Sequence, residues 1–142
     1  MIRLATKEDI AKVSMLWLDM VTELKEEWES DVESWIEITK ALMDVDGYYM
    51  LIAEDNDDIV GFLDGMTYYE SGIGKNIGIA KHFYLKPEYR KTGLSSEMYD
   101  LMIKIAREED ANVLEIQCHP EKLKYWEGFG FKIEQYILRM VI

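Results

Sequence analysis

The sequence predicts an α/β fold, with helices packed against a mixed central sheet, and three observations carry that prediction. Two segments whose apolar residues recur at three- and four-residue steps come first, and alternating segments at 47–54 and 59–69 follow them. A strand, a tight loop and a helix start then run without interruption through residues 82–100. Another alternating segment, 113–118, closes the pattern after that helix. With 142 residues, 49% of them apolar, and no linker, repeat or low-complexity tract, residues 1–142 are expected to form one domain with a proper core.

Residues 1–5 read as a short first strand with Ile2 and Leu4 on one face. Thr6, Lys7, Glu8 and Asp9 have the hydroxyl-then-acid spacing of a helix N-cap. Ile10, Val13, Trp17, Met20, Leu24 and Trp28 follow at helical steps and predict a long amphipathic helix. A second helix is expected from Ser30 and Asp31, carrying Val32, Trp35, Ile36, Thr39, Leu42 and Met43. Glu23, Glu26, Glu27, Glu29, Asp31, Glu33 and Glu37 crowd where the two helices meet.

The strands at 47–54 and 59–69 are joined by Asp55-Asn56-Asp57-Asp58, residue types that favour a hairpin turn. This acidic run lacks the glycine and the later ligands of a calcium loop. Residues 70–75, with Gly72 and Gly74, lead into a strand that reaches Lys86. The helix after the tight loop should stop near Glu109 and Asp110, and residues 113–118 then form a fifth strand. A short helix starting at Pro120 or Glu121 is ended by Gly128, and residues 131–142 are expected as the last β segment.

Cys118 is the only cysteine, which excludes an internal disulfide and cysteine-cluster metal sites; with only His82 and His119 besides, no metal is expected. No run of about 20 apolar residues is present, so a soluble, cytoplasmic protein without a membrane partner is expected. The net charge of −12 is uneven: residues 1–71 hold 5 Lys+Arg against 18 Asp+Glu, and residues 72–142 hold 11 against 10. The acidic half would repel phosphate, which argues against nucleic acid. It suits a cationic partner or substrate, and equally a plainly solvated acidic surface.

The basic half contains the loop. His82, Phe83, Tyr84 and Leu85 alternate up to Lys86 and Pro87, and a helical period begins at Leu94. Amides at a helix start are unpaired and sit at the positive end of the macrodipole, so such a loop is suited to an anion. Gly93 lets the backbone approach a ligand, and Arg90 and Lys91 add charge. Arg90-Lys91-Thr92-Gly93-Leu94-Ser95 resembles the Arg/Gln-x-x-Gly-x-Gly/Ala pyrophosphate loop of the GNAT N-acetyltransferases. Tyr125-Trp126-Glu127-Gly128-Phe129-Gly130-Phe131 resembles the Leu-Tyr-Glu-Lys-Leu-Gly-Phe segment of the same family, and the order β-α-α-β-β-β-α-β-α-β matches it over nearly the whole chain.

The resemblance implies acetyl-coenzyme A as co-substrate. Arg90, Lys91, Thr92, Gly93, Leu94, Ser95 and Ser96 would hold its pyrophosphate, Phe83, Tyr84 and Leu85 would lie along its pantetheine, and His119, at the place of the family's Asn, would contact it. Ser95 departs from the usual Gly or Ala but is small and carries a hydroxyl. The tyrosine that often protonates the leaving thiolate aligns with Trp126, while Tyr125 lies one position earlier, about 100° around a helix. Tyr125 is the substitute acid only if that helix is rotated or shifted.

His82 is a candidate general base, since imidazole titrates near neutrality, and reads also as a structural histidine satisfied by its neighbours; the face it occupies is not readable from sequence. Asp64, Glu70 and Glu115 are further carboxylates expected near the acceptor side. The implied activity is acetyl transfer to a primary amine of a cationic small molecule, such as an aminoglycoside or polyamine, or of a protein. Two alternatives stand beside it: a coenzyme A-binding module without turnover, and an acidic interaction module. Oligomeric state is open, with the terminal segment and Tyr136 as the surface through which a homodimer would pair.

Overall fold

The computed structural model describes residues 1–25 and 29–142. Its centre is one sheet of five strands in sequential order: β1 (Ile2–Leu4), β2 (Tyr48–Asp55), β3 (Asp58–Glu70), β4 (Lys75–Leu85) and β5 (Val113–Ile116). The first four pair antiparallel, and β5 joins β4 in parallel. The parallel step follows from the helix α3 (Leu94–Glu108), which carries the chain back across the sheet between β4 and β5. Asn56 and Asp57 both take positive φ in the β2–β3 turn, the conformation that a two-residue hairpin demands.

Alternation along β2 and β3 divides the core in two. Met50, Ile52, Phe62 and Tyr84 face the helices α1 (Ile10–Glu23) and α2 (Val32–Leu42), packing on Ile10, Val13, Leu16 and Met20 with Trp17 and Trp35 beside them. Leu51, Ala53, Leu63 and Leu85 point to the other face, against Met98, Tyr99 and Met102 of α3 and Trp126 of the short α4 (Leu123–Glu127). Capping agrees with the sequence: Asp31 accepts from the Ser34 amide at 3.0 Å to start α2, and Thr6 donates its amide to Asp9 at 2.8 Å before α1.

Three expectations change. The first helix ends at Glu23, because the chain turns left-handed at Lys25 (φ 53), which caps the last turn; Trp28, Glu26 and Glu27 lie outside the described residues. The fifth strand stops at Ile116, short of Cys118. Residues 131–142 form no strand: Phe131 reaches the core, but Tyr136, Leu138, Met140, Val141 and Ile142 are exposed. Strand propensity expresses itself only through a paired neighbour, and β5 remains the edge of the sheet.

Two expectations about stability follow. Phe62 is fully buried between the sheet and α2, so Phe62→Ala should cost about 3–5 kcal/mol and lower the melting midpoint by roughly 10 °C or more. The Arg3 guanidinium donates to both Asp9 and Glu54 at 2.8 Å, joining β1, the turn before α1 and β2. Arg3 holds the Asp9 carboxyl down at about 2. A depressed carboxyl contributes stability above its unfolded value and loses it as pH falls, here from about 4 towards 2. In acid titrations followed by circular dichroism, Arg3→Gln should make the loss in that window shallower than in the wild type.

Candidate functional site

The site is built where β4 leaves β5. Their parallel pairing runs from Ile77 opposite Val113 to Ala80 opposite Ile116 and ends there, while β4 continues to Leu85. At the same point the antiparallel register with β3 slips: Asp64 faces His82 but Gly65 faces Ala80, so Lys81 is one residue extra. Such a bulge bends a strand and re-aims its side chains. Gly65 is required here, since a Cβ would stand 2.7 Å from both the Ile79 carbonyl and the Tyr49 hydroxyl.

The extra residue also settles the faces of β4. Ala80 lies on the α3 side, and past Lys81 so do Phe83 and Leu85, whereas Tyr84 lies on the α1 side. His82 is on that α1 side too, its ring 6.4 Å from Phe62, which itself meets Trp35 of α2. Phe83 packs edge-on against Trp126 at 5.8 Å, which ties α4 to β4 past the end of its pairing with β5. Trp126 also meets Tyr99, Phe129 and Phe131. Tyr125, 42% exposed, touches only Trp126 and Phe129 among the aromatic contacts described. Trp126 thus faces β4, and Tyr125 turns outward.

After β4 the chain makes one 3-10 turn, Pro87–Tyr89, and enters the loop. Lys91 (φ 61) and Gly93 (φ 89) are both left-handed, and Gly93 is the N-cap of α3 with no side chain capping the helix amides. The Thr92 hydroxyl donates to the Tyr89 carbonyl at 2.7 Å, away from those amides. A Cβ on Gly93 would meet nothing within 4 Å, so the loop is open on that side. Ser95 is half-buried and Ser96 exposed at the first turn of α3, and Leu94 packs on the core. This geometry fits a pyrophosphate: unpaired amides, an open approach and the positive end of a 15-residue helix.

Arg90 is placed differently from the simple expectation of a loose positive charge. Its Nη1 and Nη2 donate to the two carboxylate oxygens of Glu23 at 2.7 and 2.6 Å, and its Nε donates to the Leu85 carbonyl at 3.0 Å. The guanidinium also lies 5.3 Å above the Tyr84 ring. The fork geometry suits a carboxylate, and the bond to Arg90 holds the Glu23 carboxyl below its usual range. Arg90 therefore anchors the loop to the end of α1, while exposed Lys91 keeps the loop's positive charge.

On the α1 side, Asp64 is 2% exposed and makes three hydrogen bonds. Its Oδ1 takes the His82 amide at 2.9 Å and pairs with His82 Nδ1 at 2.8 Å; its Oδ2 takes the Tyr48 hydroxyl at 2.7 Å. Burial pushes the Tyr48 phenol far up, so it stays a proton donor. The His82 side chain keeps 29% exposure. Of the carboxylates expected near the acceptor side, only Asp64 joins this cluster. Glu70 accepts from the Gly72 amide at the far end of β3, and Glu115 is half-buried on β5. His119, half-buried, precedes the short turn into α4. Sequence reasoning missed the buried state of Asp64; its signal was a lone acid within the otherwise apolar run from Ile59 to Met66.

A shallow depression of about 440 Å³ between Tyr69, Lys75, Asn76, Arg107 and Asn112 lies at the opposite end of β4 and takes no part in this site. Among the described residues no group of acids, histidines or cysteines is arranged to hold a metal, and no helix is long and apolar enough to cross a membrane.

Comparison with known proteins agrees with this geometry. Among solved structures, a transcriptional regulator from Bacillus halodurans C-125 superposes with a TM-score of 0.83 at 21% identity, covering 100% of this chain and 99% of the other. A ribosomal-protein-alanine N-acetyltransferase from Brucella melitensis biovar Abortus 2308 gives 0.77 at 17% identity, covering 99% of each chain. An aminoglycoside acetyltransferase from an uncultured soil metagenomic sample, in complex with sisomicin, gives 0.74 at 15%, covering 100% and 94%. No curated protein matches the chain. The model of the acetyltransferase (GNAT) family matches residues 13–131, and the chain belongs to that family.

Proposed function

We propose that the chain transfers an acetyl group from acetyl-coenzyme A to a primary amine of a cationic small molecule or a protein. The observation that carries this reading is the parting of β4 from β5 beside an uncapped helix start with Gly93 in the left-handed region. The amides of residues 90–96 would hold the pyrophosphate, and the backbone of Phe83, Tyr84 and Leu85 would run beside the pantetheine, with His119 near it. The side chains of Phe83 and Leu85 are committed to the core and that of Tyr84 lies beneath Arg90, so this stretch of β4 contributes main chain. Acetyl-coenzyme A supplies an activated thioester.

The acceptor enters as an ammonium and leaves as a neutral amide, so it must shed two protons. One is given up before the nitrogen lone pair attacks the carbonyl, and His82, on the α1 side with an exposed edge, is the base we assign to it. The other balances the departing thiolate. Trp126 stands where a tyrosine would serve, and an indole N–H donates a hydrogen bond but gives up no proton; Tyr125 faces away. That proton therefore comes from solvent or from the acceptor nitrogen. The acidic N-terminal half would draw a cationic acceptor.

Trp126 also supports a second reading, a module that binds the cofactor without turnover. Acetyl-coenzyme A at about 100 times its dissociation constant should stabilise the chain by about 2.7 kcal/mol under either reading. Gly93→Val should abolish that thermal shift, because a branched residue is strained at φ 89 and its side chain would occupy the open approach; an unchanged shift would sink the pyrophosphate assignment. Thiol release in a screen of polyamines, aminoglycosides and basic peptides then separates enzyme from module. For the enzyme, His82→Gln should lower kcat/KM by about 10²–10⁴ with the acetyl-coenzyme A shift intact; full activity in that variant would remove His82 from the reaction.

A further inference from the structure

We propose that Asp64 is the positioning residue of the deprotonation site, fixing the His82 ring through Nδ1 so that Nε2 is the bare nitrogen that receives the acceptor's proton. The inference rests on the assignment of His82 as base. Asp64 is a buried charged side chain that meets this ring, and its three hydrogen bonds converge on one task. Oδ1 accepts the main-chain N–H of His82, opposite the bulge, and lies 2.8 Å from the ring Nδ1 of the same residue. A ring and a backbone tied to one oxygen cannot turn independently. Oδ2 is held by the Tyr48 hydroxyl, which burial keeps protonated, so the carboxylate itself has no freedom to rotate.

An ionised carboxylate accepts and never donates. Facing Nδ1, it selects the tautomer with the proton on Nδ1, and the remaining nitrogen, Nε2, carries the lone pair. When Nε2 takes a proton from an ammonium, the ring becomes a cation beside a fixed negative charge, and the amine keeps the electron pair with which it attacks. The other groups around the ring are Phe62 on the same face of β3 and, two residues along β4, Tyr84 beneath the ion pair of Arg90 with Glu23. Phe62 is apolar, and that ion pair is internally neutralised, so among the described residues Asp64 is the carboxylate bonded to the His82 ring.

A purely structural role, capping the amide freed at the bulge, uses the same oxygen but does not depend on which ring nitrogen is protonated. Nitrogen-15 spectra of ring-labelled histidine separate the two, and with only His82 and His119 in the chain a His119→Gln background leaves one ring to observe. In its neutral form the His82 ring should show the Nδ1–H tautomer as the dominant one. Asp64→Asn should retain it, because the main-chain N–H of His82 holds the amide oxygen in place. Asp64→Ala should release the ring to the Nε2–H tautomer that free imidazole prefers. A wild-type ring found with its proton on Nε2, or an Asp64→Ala ring with an unchanged tautomer, would overturn the proposal. The wild-type spectrum decides even where Asp64→Ala does not fold. None of these spectra depends on turnover, so a failure here is distinct from the loss of the acetyltransferase reading, which the His82→Gln kinetics address.

Discussion

One extra residue in β4 governs the rest of the structure. Without Lys81 out of register, strict alternation would place Ala80, His82 and Tyr84 on a single face; with it, Ala80 joins Phe83 and Leu85 against α3, and His82 and Tyr84 turn towards α1. The same bulge stands where β5 ceases to follow β4. The cofactor side and the proton-transfer side of the proposed reaction are therefore opposite faces of one short stretch of strand. Main chain is presented where β4 and β5 part, and an imidazole is presented to the helix pair. The unpaired main chain that a bulge creates is costly when buried, and Asp64 offsets that cost by accepting the His82 amide.

The second constraint joins the two halves of the chain. Glu23 closes α1 and Arg90 opens the anion loop, and their bidentate pair sets one against the other. At about a third exposure for each side chain, the pair contributes little to stability. Its consequence is geometric. With Arg90 committed to Glu23 and to the Leu85 carbonyl, the loop offers a ligand its amides, the α3 dipole and Lys91, while the helices expected to contact an acceptor are fixed to that same loop.

Much of this was legible in the sequence because it depends on local patterns. The helix caps at Thr6 and Asp31, the hairpin at Asn56 and Asp57, the strand-loop-helix unit around Gly93 and the order of elements all follow from residue type and spacing within a few positions. The bulge at Lys81 was not legible, since it is defined by the partner strand and no residue type marks it. The buried state of Asp64 depends on Tyr48 and His82, which are distant in sequence. Residues 131–142 show the reverse failure: a β-rich composition was present, and the pairing that turns composition into a strand was not. Trp126 lay between these cases, its identity readable at once and its direction, towards Phe83, only from the packing of α4.

The central claim is that the parting of β4 and β5 and the start of α3 form one acetyl-coenzyme A site. Amide hydrogen exchange of the wild-type chain, with and without acetyl-coenzyme A, tests it most directly. The account predicts new protection confined to two stretches, residues 83–85 of β4 and residues 90–96 at the head of α3, with the far end of β4 around Lys75 and Asn76 unchanged. Protection absent from both stretches at saturating acetyl-coenzyme A, or concentrated around Asn76 and Arg107, would contradict it.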